Sequence, residues 1–201
     1  MEEPKTKFIY LASASPRRCE LLGQLGMNFE QVPADIDETP RQGEAPRDYV
    51  VRMALEKAHA ASRRLDGEHV PVLGADTSVV IDGDILGKPE DQQHAAEMLR
   101  RLSDNVHKVM SGVAVVGGGR EASEVSVTEV KFRQLSDAEI AGYWATGEPQ
   151  DKAGGYAIQG VAAAFIEQIR GSYSGVMGLP LFETSRLLEL FGYALLKRVV
   201  H

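Results

Sequence analysis

Residues 9–22 read IYLASASPRRCELL, and the folding of this stretch frames the rest of the chain. The apolar run from Phe8 to Ala12 predicts a strand. Ser15-Pro16 predicts the start of a helix over Pro16–Leu25, with serine as N-cap, proline in the first turn and Gly26 closing the end. Arg17 and Arg18 then fall in the first helical turn. The amides there carry partial positive charge, so cations are disfavoured and anions are welcome. Two arginines at such a place make sense if they and the helix start share an anion.

Outward from this unit, strands and helices alternate. A short strand is expected at Phe29–Val32, followed by the acidic loop PADIDETPRQGEAP and a long helix from Pro46 to about Leu65. VPVLGADTSVVIDGDILGKP predicts a strand broken at Gly74, a second strand, a hairpin turn at Asp82-Gly83 and a return strand. Asp91–Leu102 reads as a helix, and a hairpin is expected around Gly117–Gly119. Ser136 caps a helix running to Thr146, with Asp137 and Glu139 in its first turn. The glycine-rich loop GEPQDKAGGYAIQG, a strand near Ala163–Ile169, the loop RGSYSGVMGLP and a helix over Leu181–Phe191 complete the series. The pattern implies an α/β architecture with a mixed sheet and flanking helices, with residues 1–201 forming one domain.

Composition narrows the function classes. The chain has 201 residues, 43% hydrophobic and 25% charged, with no repeat and no low-complexity tract. Its formal net charge of −7 argues against a nucleic-acid-binding surface. A small anionic ligand would need local cations or a metal to hold it against that field. The single cysteine, Cys19, excludes an internal disulfide and reads as a small packing residue of a reducing compartment. The start MEEPKTKFIY is too acidic and too weakly apolar for a signal peptide, and no apolar run approaches the ~20 residues of a membrane helix. The cytoplasm is the expected location, with no membrane partner.

Several charges sit where a purely structural role is awkward. Lys57 lies four residues after Met53 and four before Ala61, near the apolar stripe of its helix. It is either a snorkelling lysine or a cation held over a cleft. Lys88, in ILGKPED, reads alone as a turn lysine. Asp76 interrupts the buried-strand pattern VPVLGADTSVV, either as a turn residue or as a buried carboxylate that needs a partner or a metal. Asp35, Asp37 and Glu38 are a solvated face or oxygen ligands for a hard divalent cation. Together, cations, carboxylates, a helix start and glycine-rich loops suit a magnesium-bearing polyphosphate. GDILGKP is one residue too short for a phosphate loop, GSYSG lacks the serine of a nucleophile elbow, and the five histidines form no H-x-x-x-H pair.

These blocks resemble the Maf family of nucleoside triphosphate pyrophosphatases. The resemblance starts at Ser13-x-Ser15-Pro16-Arg17-Arg18 and continues through DIDE, ALEKA, LGADT, LGKP, EPQDKAGGYAIQG and GSYSGVMGLPL, in the family's order, from about Leu11 to Leu188. It implies an inosine-triphosphatase-like fold with two lobes around a central cleft, and a homodimer. It also implies cleavage between the α- and β-phosphates to a nucleoside monophosphate and diphosphate, with a divalent metal such as Mg²⁺ or Mn²⁺. DKAGGYAIQG is similar to the subgroup acting on dTTP and UTP, whereas a sister subgroup acting on 7-methyl-GTP carries a Ser-Glu pair in place of Ile158-Gln159. Ala14 and Gln150 depart from the usual glycine and leucine, and neither change touches a charged position.

Carried over residue by residue, the resemblance makes Asp76 the proton acceptor for the attacking water and Glu38 a metal or water partner, both being candidate metal ligands. Arg18, Lys57 and Lys88 would hold the triphosphate and Ser13 would add a hydroxyl. Arg17, Thr77 and Gln159 are tied to substrate preference. A glutamine amide can meet part of the acceptor–donor–acceptor edge that uracil and thymine share, and a flipped amide can meet cytosine. Two other classes stand beside this one. A non-catalytic nucleotide-binding regulator of septum formation would not need Asp76 and Glu38, and a nucleic-acid binder conflicts with the net charge.

Overall fold

The computed structural model describes residues 8–65 and 70–193. Most of the leader read against a signal peptide, residues 1–7, lies outside them. Strand β1 (Phe8–Leu11) passes through helix α1 (Pro16–Gln24) to β2 (Asn28–Gln31), which pairs parallel to it. Helix α2 (Pro46–Ser62) then carries the chain to β3 (Val72–Ile81), which pairs parallel to the other edge of β1. From there the sheet is antiparallel: β4 (Asp84–Leu86), β5 (Val106–Gly117), β6 (Arg120–Phe132) and β7 (Ile166–Arg170). Helices α3 (Gln92–Leu102), α4 (Asp137–Ala145), α5 (Tyr173–Met177) and α6 (Leu181–Leu190) lie between or after these strands. The order across the sheet is β2-β1-β3-β5-β6-β7, with β4 added to β3. This is the mixed sheet with flanking helices that the alternation implied.

Both hairpin turns form where expected. Asp82 (φ 55°) with Gly83 (φ 89°), and Gly118 (φ 58°) with Gly119 (φ 73°), supply the two consecutive left-handed residues that match the twist of the flanking strands. Ser136 caps α4 in a reciprocal box with Glu139, as its sequence predicts. Ser15 does not cap α1 with its side chain. Its amide instead donates to Ser13 Oγ at 3.2 Å.

Three boundaries differ from expectation. The strand read as broken at Gly74 is continuous from Val72 to Ile81. Gly74 is needed for a tertiary reason: α2 lies so close to β3 that a Cβ here would overlap the Ala54 carbonyl oxygen. Gly112 on β5 makes the same allowance for the Val50 carbonyl. Residues Val161–Phe165 form a 3₁₀ turn, so β7 starts at Ile166. The loop before α6 holds a one-turn helix, α5, capped by Ser172.

The two largest hydrophobic clusters among the described residues lie in different parts of the sheet, and two smaller ones pack α2 against it. Leu21, Leu22, Leu73, Leu179, Leu187 and Leu188 pack under β1 between α1 and α6. Leu99, Leu102, Phe132, Tyr143, Tyr156 and Phe165 pack between the far part of the sheet and helices α3 and α4. β3 runs through both. On one edge it pairs β5 from Val72 to Val80. On its other edge it pairs β1 only at Val72 and Leu73, and β4 only from Val79 to Ile81. Between Leu73 and Val79 that edge has no strand registered against it among the described residues. This gap lies between β1 and β4 along the edge of β3.

Candidate active site

Asp76 and Thr77 sit in that gap. Successive strand residues point to opposite sheet faces, so Asp76 shares the α2 side with Gly74 while Thr77 faces the side of α1 and α5. The Gly74 and Gly112 approach brings α2 down onto β3, and Lys57 meets Asp76 with Nζ–Oδ1 at 2.7 Å. The same ammonium lies 2.7 Å from Glu38 Oε1. Lys57 is therefore not snorkelling. It is buried at 8% exposure and bridges two carboxylates, and Asp76 is buried at 7%. A buried charge of either sign is expensive alone, and this pairing compensates both.

Glu38 reaches Lys57 because its loop is tied to α2. Tyr49 Oη donates to the Glu38 carbonyl oxygen at 2.8 Å, and Arg52 Nη2 donates to the Thr39 carbonyl oxygen at 3.2 Å. Burial works against the Glu38 charge, but the Lys57 bond and the charges of Lys57, Lys88 and Arg18 outweigh it and hold the carboxyl below its usual range. The Tyr49 hydroxyl is pushed up to about 12, first by burial and then by the nearby negative charges of Asp76 and Glu38.

Arg18 lies on the other face of β3, the face that Thr77 occupies. Arg18 Nε donates to the Gly178 carbonyl oxygen at 2.8 Å, and its Nη1 to Ser13 Oγ at 3.3 Å. Neither acceptor is charged. Burial lowers the Arg18 pKa, Asp76 and Glu38 raise it and Arg17 lowers it, with a net downward shift. The guanidinium nonetheless stays protonated at neutral pH. Arg17, Arg18 and Lys88 have no carboxylate within ion-pair distance among the described residues. Helix α1 also has no acidic residue in its first turn and no side-chain cap. Its amide end and two arginines are thus left open to an external anion.

Thr77 is held in the same polar network. Ser111 Oγ donates to the Gly175 carbonyl oxygen at 2.7 Å, which leaves it to accept from Thr77 Oγ1 at 2.8 Å. Thr77 Oγ1 also lies 3.4 Å from the Gly178 carbonyl oxygen that Arg18 uses. Gly178 has φ 122°, a backbone conformation that favours glycine. Ser13, buried at 7%, is fixed from behind by Gln31 Nε2, which donates to its carbonyl oxygen at 3.0 Å.

The sequence-derived residues therefore divide. Glu38 and Asp76 each contact Lys57, while Ser13 Oγ and the Gly178 carbonyl oxygen both accept from Arg18 and Thr77 lies beside that carbonyl. The Asp76 charge raises the Arg18 pKa against the larger effect of burial, and Thr77 follows Asp76 directly on β3. Lys88 is exposed in the loop after β4 and its charge reaches Glu38. Gly154 donates its amide to the Gly87 carbonyl oxygen at 2.9 Å, docking the glycine-rich loop beside Lys88. Arg17 is half-buried beside Arg18, and Gln159 is exposed on the glycine-rich loop with no direct bond to the charged cluster.

Sequence reasoning missed Tyr49, Ser111 and Gly178. Ser111 could have been noticed as a hydroxyl inside the apolar run of HKVMSGVAVV, but its partner at Gly175 lies 64 residues away. Tyr49 reads as one more residue of an apolar helix face, and only the folded loop reveals its bond to Glu38.

A family model described as "Maf-like protein" matches residues 8–191. A dTTP/UTP pyrophosphatase of Aromatoleum aromaticum is 55% identical over 199 residues, spanning 93% of this chain and 97% of the relative. A dTTP/UTP pyrophosphatase of Salmonella typhimurium is 52% identical over 193 residues, spanning 96% and 98%. Among solved structures, the Ham1 protein of Staphylococcus aureus superposes with a TM-score of 0.52 at 12% identity, covering 92% of this chain and 97% of that one, which is a likeness of fold. A match over residues 8–191, joined to relatives more than half identical over nearly the whole chain, shows that this protein belongs to the Maf family.

Proposed function

We propose that this chain is a nucleoside triphosphate pyrophosphatase that hydrolyses dTTP and UTP between the α- and β-phosphates, giving the monophosphate and diphosphate. The observation that carries the reading is the Glu38–Lys57–Asp76 chain at 2.7 Å spacings in the β3 gap, together with Arg18 on the other face of β3, which has no carboxylate within ion-pair distance among the described residues. The relatives' names supply the substrate class. A triphosphate laid across the gap would meet the open start of α1, Ser13 and Arg18 on one side and Lys57 and Lys88 on the other. Such preorganised positive groups stabilise the charge that grows on the departing diphosphate. Asp76 would accept the proton of the attacking water, with Lys57 and Glu38 fixing the carboxylate's orientation.

A divalent cation fits this donor set. Asp76 Oδ2 and Glu38 Oε2 make no hydrogen bond among the described residues, so each carboxylate retains a hard oxygen ligand. No group of three or more His, Cys, Asp or Glu side chains forms a ready cage among the described residues. Two carboxylate oxygens suit a magnesium or manganese ion that arrives with the phosphates and keeps several waters. When bound, such an ion neutralises phosphate charge and makes a water more acidic. The reading also has the whole chain acting as one domain in the cytoplasm, without nucleic acid. It includes pairing as a homodimer, for which Phe182 and Leu190 on α6, 67% and 62% exposed, offer apolar surface. Among the described residues no helix is long and apolar enough to cross a membrane.

The test is diphosphate release from dTTP, UTP, CTP, GTP and 7-methyl-GTP with magnesium or manganese, on wild type and Asp76→Asn. Turnover is expected for dTTP and UTP, and Asp76→Asn should lower it about 10²–10⁴-fold. Equal rates for the two proteins would refute the assignment of Asp76. Preference for 7-methyl-GTP would move the chain to the sister activity.

A further inference from the structure

The glycine-rich loop is clamped on both sides of Gln159 by a pair of residues that the catalytic proposal does not use. Tyr143, buried on α4, donates its hydroxyl to Glu148 Oε1 at 2.8 Å. The same hydroxyl oxygen accepts the Ala157 amide at 3.2 Å. Glu148 Oε2 accepts the Val161 amide at 2.8 Å, and Oε1 accepts the Ala162 amide at 3.3 Å. Three backbone N–H groups, two residues before Gln159 and two and three after it, are thus tied to one tyrosine–carboxylate pair. Gly160 makes room for that pair, because a Cβ at this position would overlap the Glu148 carboxylate.

Within the clamp the side chains are sorted sharply. Ala157, Ile158 and Ala162 are buried, Ile158 in the core packed against α3 and α4, while Gln159 is exposed and the other exposed side chain in the clamp, Val161, is apolar. An exposed amide on an ordinary loop would sample many orientations and read a base poorly. Here the backbone on either side is fixed, so the Gln159 amide starts from one place. Glu148 keeps its charge: burial opposes it, but the Val161 and Ala162 amides and the Tyr143 hydroxyl lower its pKa overall. Bonds from neutral donors to an ionised acceptor are the stronger kind.

We propose that Tyr143 and Glu148 are positioning residues for base recognition, holding the loop so that Gln159 presents its amide to a pyrimidine edge. The inference rests on the proposed dTTP/UTP hydrolysis and on the base-reading role that the family resemblance gives Gln159. Fixing a recognition group through a second layer of packed hydrogen bonds is how a site gains discrimination without new ligand contacts.

The experiment measures kcat and KM for UTP and CTP on wild type, Gln159→Ala, Glu148→Ala, Glu148→Gln and Tyr143→Phe, with Tm measured for each. Glu148→Ala is expected to lower the UTP-over-CTP ratio of kcat/KM by about tenfold, mainly through KM for UTP, with kcat held within about threefold. Glu148→Gln, which keeps one acceptor oxygen, should recover part of the ratio. If Glu148→Ala does not fold, Tyr143→Phe carries the same expectation, since it removes the Ala157 acceptor and the donor to Glu148. A ratio unchanged in folded variants, or a parallel fall for both nucleotides, overturns the inference. Wild type that cleaves no triphosphate contradicts the proposed function itself. A Gln159→Ala ratio equal to wild type removes the base-reading role on which this inference stands, while leaving the hydrolysis intact.

Discussion

Helices α1 and α2 begin on the same local plan. Each starts at a proline, Pro16 or Pro46, after an extended residue that offers no side-chain cap, and each has an arginine next, Arg17 or Arg47. Their electrostatic completion is opposite. Asp48 lies in the first turn of α2. Farther along, Arg52 meets Glu44 through two bonds of 2.6 Å, with side chains 13% and 9% exposed, and comes within 3.5 Å of Glu56. The Arg52 bonds draw Glu44 down to about 2, and the Glu44 bonds push the Arg52 pKa upward. α1 has no first-turn carboxylate, and its Arg18 rests on a carbonyl and a hydroxyl with its pKa shifted downward by burial. An arginine that serves the fold brings its anion with it. Arg18 has no such anion within ion-pair distance among the described residues.

The contrast is sharpest where the two roles meet, at Lys57. Lys57→Met should abolish turnover and leave Asp76 buried without its cation, costing about 3 kcal/mol of stability at neutral pH. Adding Asp76→Asn should return part of that stability while activity stays lost, as read by urea unfolding of the three proteins. Full stability in Lys57→Met would mean that the contact at 2.7 Å carries no weight in the fold. The next effect separates the helices directly. Arg52→Ala should lower Tm, because it strips Glu44 and frees the loop whose Thr39 carbonyl Arg52 holds. Arg18→Ala should change the ligand-free Tm much less. A larger Tm loss from Arg18→Ala would reverse the comparison.

How much of this was legible in the sequence follows the same line between local and distant causes. Pro16, Pro46, Asp82-Gly83 and Gly118-Gly119 act through their own backbone, and the elements they bound were readable. Gly74 was misread as a break because the atom that demands glycine, the Ala54 carbonyl oxygen, belongs to another helix. Lys57 and Asp76 each stood out as misplaced charges, but nothing local says that residues 19 apart will neutralise one another. The antiparallel pairing of β3 with β5, which leaves the cleft edge free, joins segments separated by a whole helix and was beyond pattern. Roles for Ser13, Arg17, Thr77 and Gln159 came from family resemblance. Of these, Ser13 and Thr77 share bonds with the Arg18 network, while Arg17 and Gln159 make no direct bond to the charged cluster.

The smallest expected effect lies far from both helix starts and sets the background for any acid study of them. His107 is buried at 1%, bonded through Nε2 to the Tyr156 hydroxyl at 2.8 Å, and burial lowers its pKa from 6.5 to about 4. Between those values the unfolded chain binds a proton that the folded chain refuses, so stability is full above pH 6.5 and falls as pH drops toward 4. Glu38, whose pKa is also depressed, adds its own loss only below its ordinary value of 4.5. His107→Gln should flatten the upper part of this fall, measured as unfolding free energy at pH 7 and pH 5. An unchanged slope would place the acid sensitivity elsewhere.

The central claim is that Arg18 at the start of α1 binds the triphosphate, whereas Arg52 on α2 serves the fold. Calorimetric titration of a non-hydrolysable α,β-imido analogue of UTP, with magnesium, into wild type, Arg18→Ala and Arg52→Ala tests it most directly. The account predicts that Arg18→Ala weakens binding by about tenfold or more, whereas folded Arg52→Ala binds close to wild type. Equal losses in both variants, or undiminished binding by Arg18→Ala, would contradict it.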